Sequence, residues 1–279
     1  MIWLRTSKFI YISDCFLSDF IGGGELNDHE LCDLLKSDKI RSNNVDLAFL
    51  NKNKNANFIV SNFVNLREIV KQKLIKDHKY IIYEHDHKYL RTRNPAEYKD
   101  YLAPKQEIVN LNFYRSAAAV LCQSSFHEDI ITKNINIKNV VNVSGNLWSI
   151  DSLDYIESIS NNNKNNRYSI LKSNTWHKNT SETSFYCRKK GYEYDLISSN
   201  DYHEFLSLLS RNEKFIFLPK TPETLSRVVV EARMLGITTI TNKNVGASYE
   251  PWFKLKGLDL ISHMRKKRVE IPNLIKEIF

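Results

Sequence analysis

The stretch Lys214-Phe215-Ile216-Phe217-Leu218-Pro219-Lys220-Thr221-Pro222-Glu223-Thr224-Leu225-Ser226-Arg227-Val228-Val229-Val230-Glu231-Ala232-Arg233-Met234-Leu235-Gly236-Ile237-Thr238-Thr239-Ile240-Thr241 decides the architecture. Residues 214–218 form a short apolar run of strand character. A polar turn with two prolines follows. Residues 222–235 then carry apolar side chains at helical spacing, with Pro222 at the start and Gly236 just past the end, as helix termini prefer. Residues 237–241 read as another short strand. Strand, helix and strand in this order predict parallel strands bridged by a helix.

The same alternation extends in both directions. Upstream, residues 8–12, 45–50, 58–60, 80–83, 118–122 and 140–143 read as strands, and 25–36, 66–75 and 126–133 as helices. The asparagine-rich cluster at 161–166 has nothing to bury and reads as a linker or exposed loop. The alternation then restarts with strands at 168–171 and 192–197 and helices at 181–190 and 201–211. The expected fold is α/β: two Rossmann-like, doubly wound domains facing a central cleft. They cover residues 1–147 and 148–279, with the last helix packing back on the first domain. In such sheets ligands sit outside the carboxyl ends of the strands, near helix N-termini. Chemistry is therefore sought in the loops that follow strands.

Composition sets outer bounds. The chain has 279 residues, enough for two domains of this kind. Hydrophobic residues make up 42% and charged residues 26%, the balance of a soluble globular protein. No apolar run approaches the ~20 residues of a membrane span. The start, Met1-Ile2-Trp3-Leu4-Arg5, lacks the pattern of a signal peptide. Cys15, Cys32, Cys122 and Cys187 stand far apart, which excludes a disulfide framework or zinc ribbon and fits a reducing cytoplasm. The formal charge of +8 and pI of 9.1 suit a polyanionic partner: nucleic acid, anionic lipid or nucleotide phosphate. An AT-rich coding sequence, rich in Asn, Lys, Ile and Tyr codons, yields the same charge, so charge alone names no partner.

Glu223 and Glu231 are the chemistry-bearing pair of the opening stretch. On the expected helix Glu223 stands at the start, facing the crevice, and Glu231 about two turns on, near the same face. A bare pair of this kind is equally a first-turn carboxylate and a solvated helix charge. The surroundings set this one apart: Ala232 and Gly236 follow, then the strand, then Gly246-Ala247-Ser248-Tyr249-Glu250.

This segment resembles the donor-binding half of GT-B glycosyltransferases, especially the large retaining family 4. That family's pattern is Glu-x7-Glu, Ala, a nearby Gly, a short strand and a Gly-Gly-x-x-Glu-like loop, here with Ala247 in place of the second glycine. The resemblance is to a short, virus- or phage-like variant of that family, in host cytoplasm if viral. The resemblance implies a metal-independent enzyme without cofactor, moving a sugar from a nucleotide-diphosphate sugar to a hydroxyl with retention. It places Glu223 beside the transferred sugar as a catalytic residue. Glu231 accepts hydrogen bonds from the ribose, a task suited to an ionised carboxylate, and Arg227 joins the donor-binding set. Ile21-Gly22-Gly23-Gly24-Glu25 resembles the family's N-terminal glycine loop, with Gly23 and Gly24 against the donor. His85, in Tyr83-Glu84-His85-Asp86-His87, matches the family's His-Asp segment and is the second catalytic candidate, hydrogen-bonding the sugar or stabilising developing charge. His85, Asp86 and His87 are also metal-ligand types, but no ligand cluster stands nearby and no metal is expected.

One place departs from the family. The Gly-Arg and Lys-Gly that usually follow the first strand of the second domain are replaced by Leu171-Lys172-Ser173-Asn174-Thr175-Trp176-His177-Lys178. Lys172 and Lys178 stand for the missing cations against the diphosphate. A dinucleotide fingerprint is absent, which disfavours a dehydrogenase. No Asp-x-Asp motif supports the GT-A class.

For the acceptor, the run from His85 through Lys88, Arg91 and Arg93 to Tyr101 interleaves bases with aromatics beside the crevice. Lys88, Arg91 and Arg93 are candidate contacts to a polyanion, with hydroxymethylated DNA as the first acceptor to consider. The alternatives are a surface glycan or lipid-linked acceptor, with peripheral membrane contact, and a non-catalytic relative that binds nucleotide or glycan.

Overall fold

The computed structural model describes residues 8–19 and 21–279. The Met1–Arg5 start, read above as lacking a signal peptide, lies outside the described residues. The first sheet has six parallel strands: β1 (Phe9–Ser13), β2 (Asp38–Arg41), β3 (Asn57–Val60), β4 (Tyr80–Tyr83), β5 (Val120–Cys122) and β6 (Val140–Asn142). Their order is β2-β1-β3-β4-β5-β6, so the direction of winding reverses between β1 and β3. Around them lie α1 (Gly23–Leu35), α2 (Leu47–Lys52), α3 (Glu68–Asp77), α4 (Leu111–Ser116) and α5 (Ser125–Ile135).

Successive residues of β1 serve opposite faces. Ile10 and Ile12 join one buried cluster with Phe58 and Ile82, and Tyr11 joins the other with Ile59 and Ile81. A parallel sheet covered on both sides explains why these strands read as unbroken apolar runs.

The chain crosses over at Leu147 and Trp148, which are fully buried in different cores. It continues through α6 (Ile150–Ser160), β7 (Asn165–Leu171), α7 (Thr180–Lys190), β8 (Tyr194–Ile197), α8 (Tyr202–Ser210), β9 (Asn212–Phe217), α9 (Arg227–Met234), β10 (Thr238–Thr241) and α10 (Leu258–Ile278). The second sheet is parallel in the order β10-β9-β7-β8, and winding reverses between β7 and β9. Helix α10 touches both cores. Leu260, Ile261 and Met264 pack in the second, and Ile271 and Ile275 in the first. Pro272 lies inside this helix and removes one ladder hydrogen bond in its second half.

Three expectations are corrected. Residues 45–50 do not form a strand. Asp46 accepts a hydrogen bond from Phe49 N at 2.6 Å and caps α2, leaving Val45 and Leu50 as its buried contacts. Strand β2 has no counterpart in the sequence reading, because at the sheet edge it is polar and largely exposed. The helix expected over 222–235 begins only at Arg227. Glu223 pairs with Val245 in a parallel bridge, and Ser226 takes a left-handed conformation (φ 74°), so 222–226 cannot coil. The asparagine cluster lies in the second domain, between α6 and β7, with Asn165 and Asn166 already in the strand.

Candidate functional site

The carboxyl ends of β1, β4, β7 and β9 meet across the interdomain cleft, so both reversals of winding face one another. A cavity of about 690 Å³ opens there, walled by Gly23, Gly24 and His85 from the first domain and Lys178, Glu223, Arg227 and Glu231 from the second. This is where doubly wound sheets place their ligands.

From the first domain, α1 begins at Gly23 with Gly22 as its extended N-cap. The glycines permit close approach. A side chain at Gly23 would come within 3.2 Å of Arg227 Cδ, across the cleft. The N-terminus of α1 therefore aims its free N–H groups into the cavity.

His85 follows β4. Its Nε2 is bonded to Asp28, and Gln123 Nε2 lies 2.7 Å from its Nδ1. Asn146 Oδ1 accepts from Arg227 Nη1 (2.7 Å), so Asn146 Nδ2 must face Gln123 Oε1 (2.9 Å). That leaves the Gln123 amide donor facing His85. In its neutral form the imidazole thus donates from Nε2 to Asp28 and accepts at Nδ1. Burial alone would lower the pKa of His85; the Asp28 carboxylate overrides it and raises the pKa. Both ring nitrogens are engaged by protein in this arrangement.

From the second domain come the carboxylates. Glu223 is not at a helix start. It lies in the extended segment after β9, where its two oxygens accept from Lys178 Nζ at 2.8 and 3.0 Å. Glu231 sits on α9 and is buried. All three of its protein contacts fall on Oε1: Trp148 Nε1 (2.9 Å), Tyr202 OH (2.6 Å) and Arg227 Nε (3.5 Å). Its Oε2 has no hydrogen-bond partner among the described residues. The two glutamates share the cavity wall but not a helix face.

Arg227 stacks on the Trp148 ring (4.2 Å) and donates to Asn146 and Leu147, so it stitches the domains together at the cleft wall. Lys178 reaches the cavity, whereas Lys172, at the end of β7, lines neither it nor its neighbour. The expected pair of cations against a diphosphate is reduced to Lys178.

Gly246 carries out a packing task. A Cβ there would stand 2.3 Å from Thr224 O and 2.6 Å from Ser124 Oγ. Only glycine lets the 245–247 loop seat against the Glu223 segment and α5 together. Glu250 does not reach the cavity. Its Oε1 accepts from Ser125 N at 2.5 Å and its Oε2 from Ser144 Oγ, so it caps α5 across the domain seam.

The basic run of the first domain is placed differently from expectation. Lys88 is 3% exposed and donates to Glu84 and Asp86, both at 2.5 Å. It cannot contact a polyanion. Arg91 is exposed beside Glu107 (3.6 Å), and Arg93 faces Asp86 (3.2 Å) on a second cavity next to the first.

Several residues of the site were not singled out from sequence: Asp28, Gln123, Asn146, Trp148, Tyr202 and Thr224. Asp28 had a signal. It lies three and seven residues before Leu31 and Leu35, on the buried stripe of α1, where an unpaired carboxylate is costly. The others become neighbours only through tertiary contacts.

No protein-family model matches the chain, and no curated protein matches it in sequence. Solved structures do. The Anabaena protein HepE in complex with UDP-glucose aligns at TM-score 0.54 and 12% identity, over 97% of this chain and 91% of its own. An E. coli trehalose-6-phosphate structure bound with UDP-2-fluoro glucose aligns at 0.54 and 7%, over 98% and 96%. An alpha-glucosyltransferase in complex with UDP-glucose and DNA containing an abasic site aligns at 0.50 and 11%, over 98% and 92%. At these identities the likeness establishes the architecture, the GT-B pairing of two Rossmann-like domains, over nearly the whole chain. Among the described residues, no helix is long and apolar enough to cross a membrane.

Proposed function

We propose that the chain is a glycosyltransferase that binds a nucleotide-diphosphate sugar in the interdomain cavity and passes the sugar to an acceptor hydroxyl. One observation carries this reading: Lys178, Glu223, the unshared oxygen of Glu231 and the N-terminus of α1 converge on one cavity at both topological switch points. Each matches a part of the donor. The Glu231 Oε2 suits ribose hydroxyls. Lys178 and the α1 N-terminus oppose the diphosphate charge, which grows as the leaving group departs. Glu223, released from Lys178 when the phosphates arrive, stands beside the sugar. Retention of configuration and independence from metal follow the family 4 resemblance of the Glu-x7-Glu segment.

UDP-glucose is the first donor to test, since the neighbours above are bound to it or to its fluoro analogue. Calorimetry should show binding that survives a chelator, and Glu231→Ala should weaken it by about 1.5–3 kcal/mol, the worth of a charged hydrogen bond. Loss of binding on chelation would refute metal independence. Failure of a panel of nucleotide sugars to raise the melting temperature would refute the reading itself.

Hydroxymethylated DNA remains a second acceptor reading. The charge of the chain and Arg93 on the adjoining cavity support it. The burial of Lys88 weakens it, because that lysine of the run is spent inside the protein.

A further inference from the structure

A second cavity of about 430 Å³ adjoins the donor cavity and shares His85, Lys178, Glu223 and Thr224 with it. A ligand in either is therefore one side chain away from a ligand in the other. The geometry points to this second cavity as the acceptor subsite, built for an uncharged sugar ring that stacks on Trp176. The inference rests on the glycosyltransferase reading and names the substrate class for it.

Three observations carry it. First, Trp176 lines the cavity and is 62% exposed. An indole left in water beside a concave surface offers an apolar face and one N–H donor, which suits the apolar face and hydroxyl rim of a pyranose. Second, the platform is rigid. Trp176 opens the one-turn helix Trp176–Lys178, which is pinned where Lys220 N donates to His177 O (2.9 Å) and Asn179 Nδ2 to Leu218 O (2.7 Å). The same turn carries Lys178, so stacking on Trp176 fixes a hydroxyl relative to Lys178 and Glu223.

Third, the cavity is polar but internally neutralised. Its cations are Arg93 and Lys178, and each faces a carboxylate of the same wall, Asp86 (3.2 Å) and Glu223 (2.8 Å). With the donor's diphosphate on Lys178, a phosphate-bearing acceptor would have to break the Arg93–Asp86 pair and lie beside the bare Glu223 carboxylate. An uncharged polyol needs only the exposed donors and acceptors, among them the Thr92 hydroxyl. This favours a glycan over DNA.

The test uses the full chain and the nucleotide sugar that stabilises it, with a panel of p-nitrophenyl hexosides and, in parallel, hydroxymethylated duplex DNA as acceptors. Transfer to at least one hexoside is expected. Trp176→Ala should raise the acceptor KM about tenfold or more with little change in kcat or in donor Kd, and Trp176→Phe should recover most of the loss. Transfer to DNA and to no hexoside would overturn the inference, as would a hexoside KM indifferent to Trp176→Ala. Donor hydrolysis without transfer to any hexoside would overturn the acceptor assignment alone. Absence of nucleotide-sugar binding would overturn the parent reading with it.

Discussion

Two lysine–carboxylate pairs, one in each domain, do opposite things. In the first domain the side chains of Lys88 and Glu84 are 2% and 0% exposed, and Tyr114 OH closes the cluster by donating to the other oxygen of Glu84. In the second, Lys178 and Glu223 are 29% and 14% exposed and open on the cavity. The residue types are the same. Burial decides that one pair holds the turn after β4 in place and that the other is free to exchange its partner for a ligand. Burial also pushes the Glu84 carboxyl up to about 7 despite its lysine neighbour.

The largest effect that tests this contrast is on stability. Lys88→Ala should cost about 3–5 kcal/mol, because Glu84 is left buried without its cation. Chemical denaturation measures it; a loss below 1 kcal/mol would show the first pair to be as dispensable as a surface one.

Next comes acid sensitivity of the same turn. His87 is 2% exposed, bonds Tyr89 OH at 2.8 Å, and burial brings its pKa down from 6.5 to about 4. The unfolded chain takes up this proton first as pH falls, so stability is full above about 6.5 and declines between 6.5 and 4, by about 3 kcal/mol for this group. Denaturant melts at pH 7 and pH 4.5 should show the decline, and His87→Gln should flatten it. Equal slopes in both proteins would remove His87 from the account.

The smallest stability effect belongs to the second pair. Lys178→Ala should change unfolding free energy by less than about 1 kcal/mol, since the pair is partly solvated. It should nevertheless weaken nucleotide-sugar binding clearly in calorimetry. A Lys178 variant that melts early but binds donor normally would reverse the contrast.

Legibility followed the same physics. The β-α alternation was readable because a parallel sheet buried on both faces demands apolar runs of strand length, and β1, β3, β4 and β9 supply them. Strand β2 escaped because an edge strand need bury little. The run 45–50 misled because strand and helix both accept a short apolar run, and the Asp46 cap settles it only locally. In the site, Glu223 and Glu231 were legible as a pair through the residues around them. Their placement was not, since the bridge from Glu223 to Val245 joins segments that pair only in the folded chain.

The sequence by itself determined the alternation of elements, the division into two α/β units and the segment that carries the carboxylates, because these depend on spacing along one chain. The tertiary structure alone decided which charges are available. Lys88 and Lys178 look alike in sequence, as do Glu84 and Glu223. Whether a charge meets solvent or protein depends on chain segments far apart in sequence, and desolvation makes that difference larger than any the residue types encode.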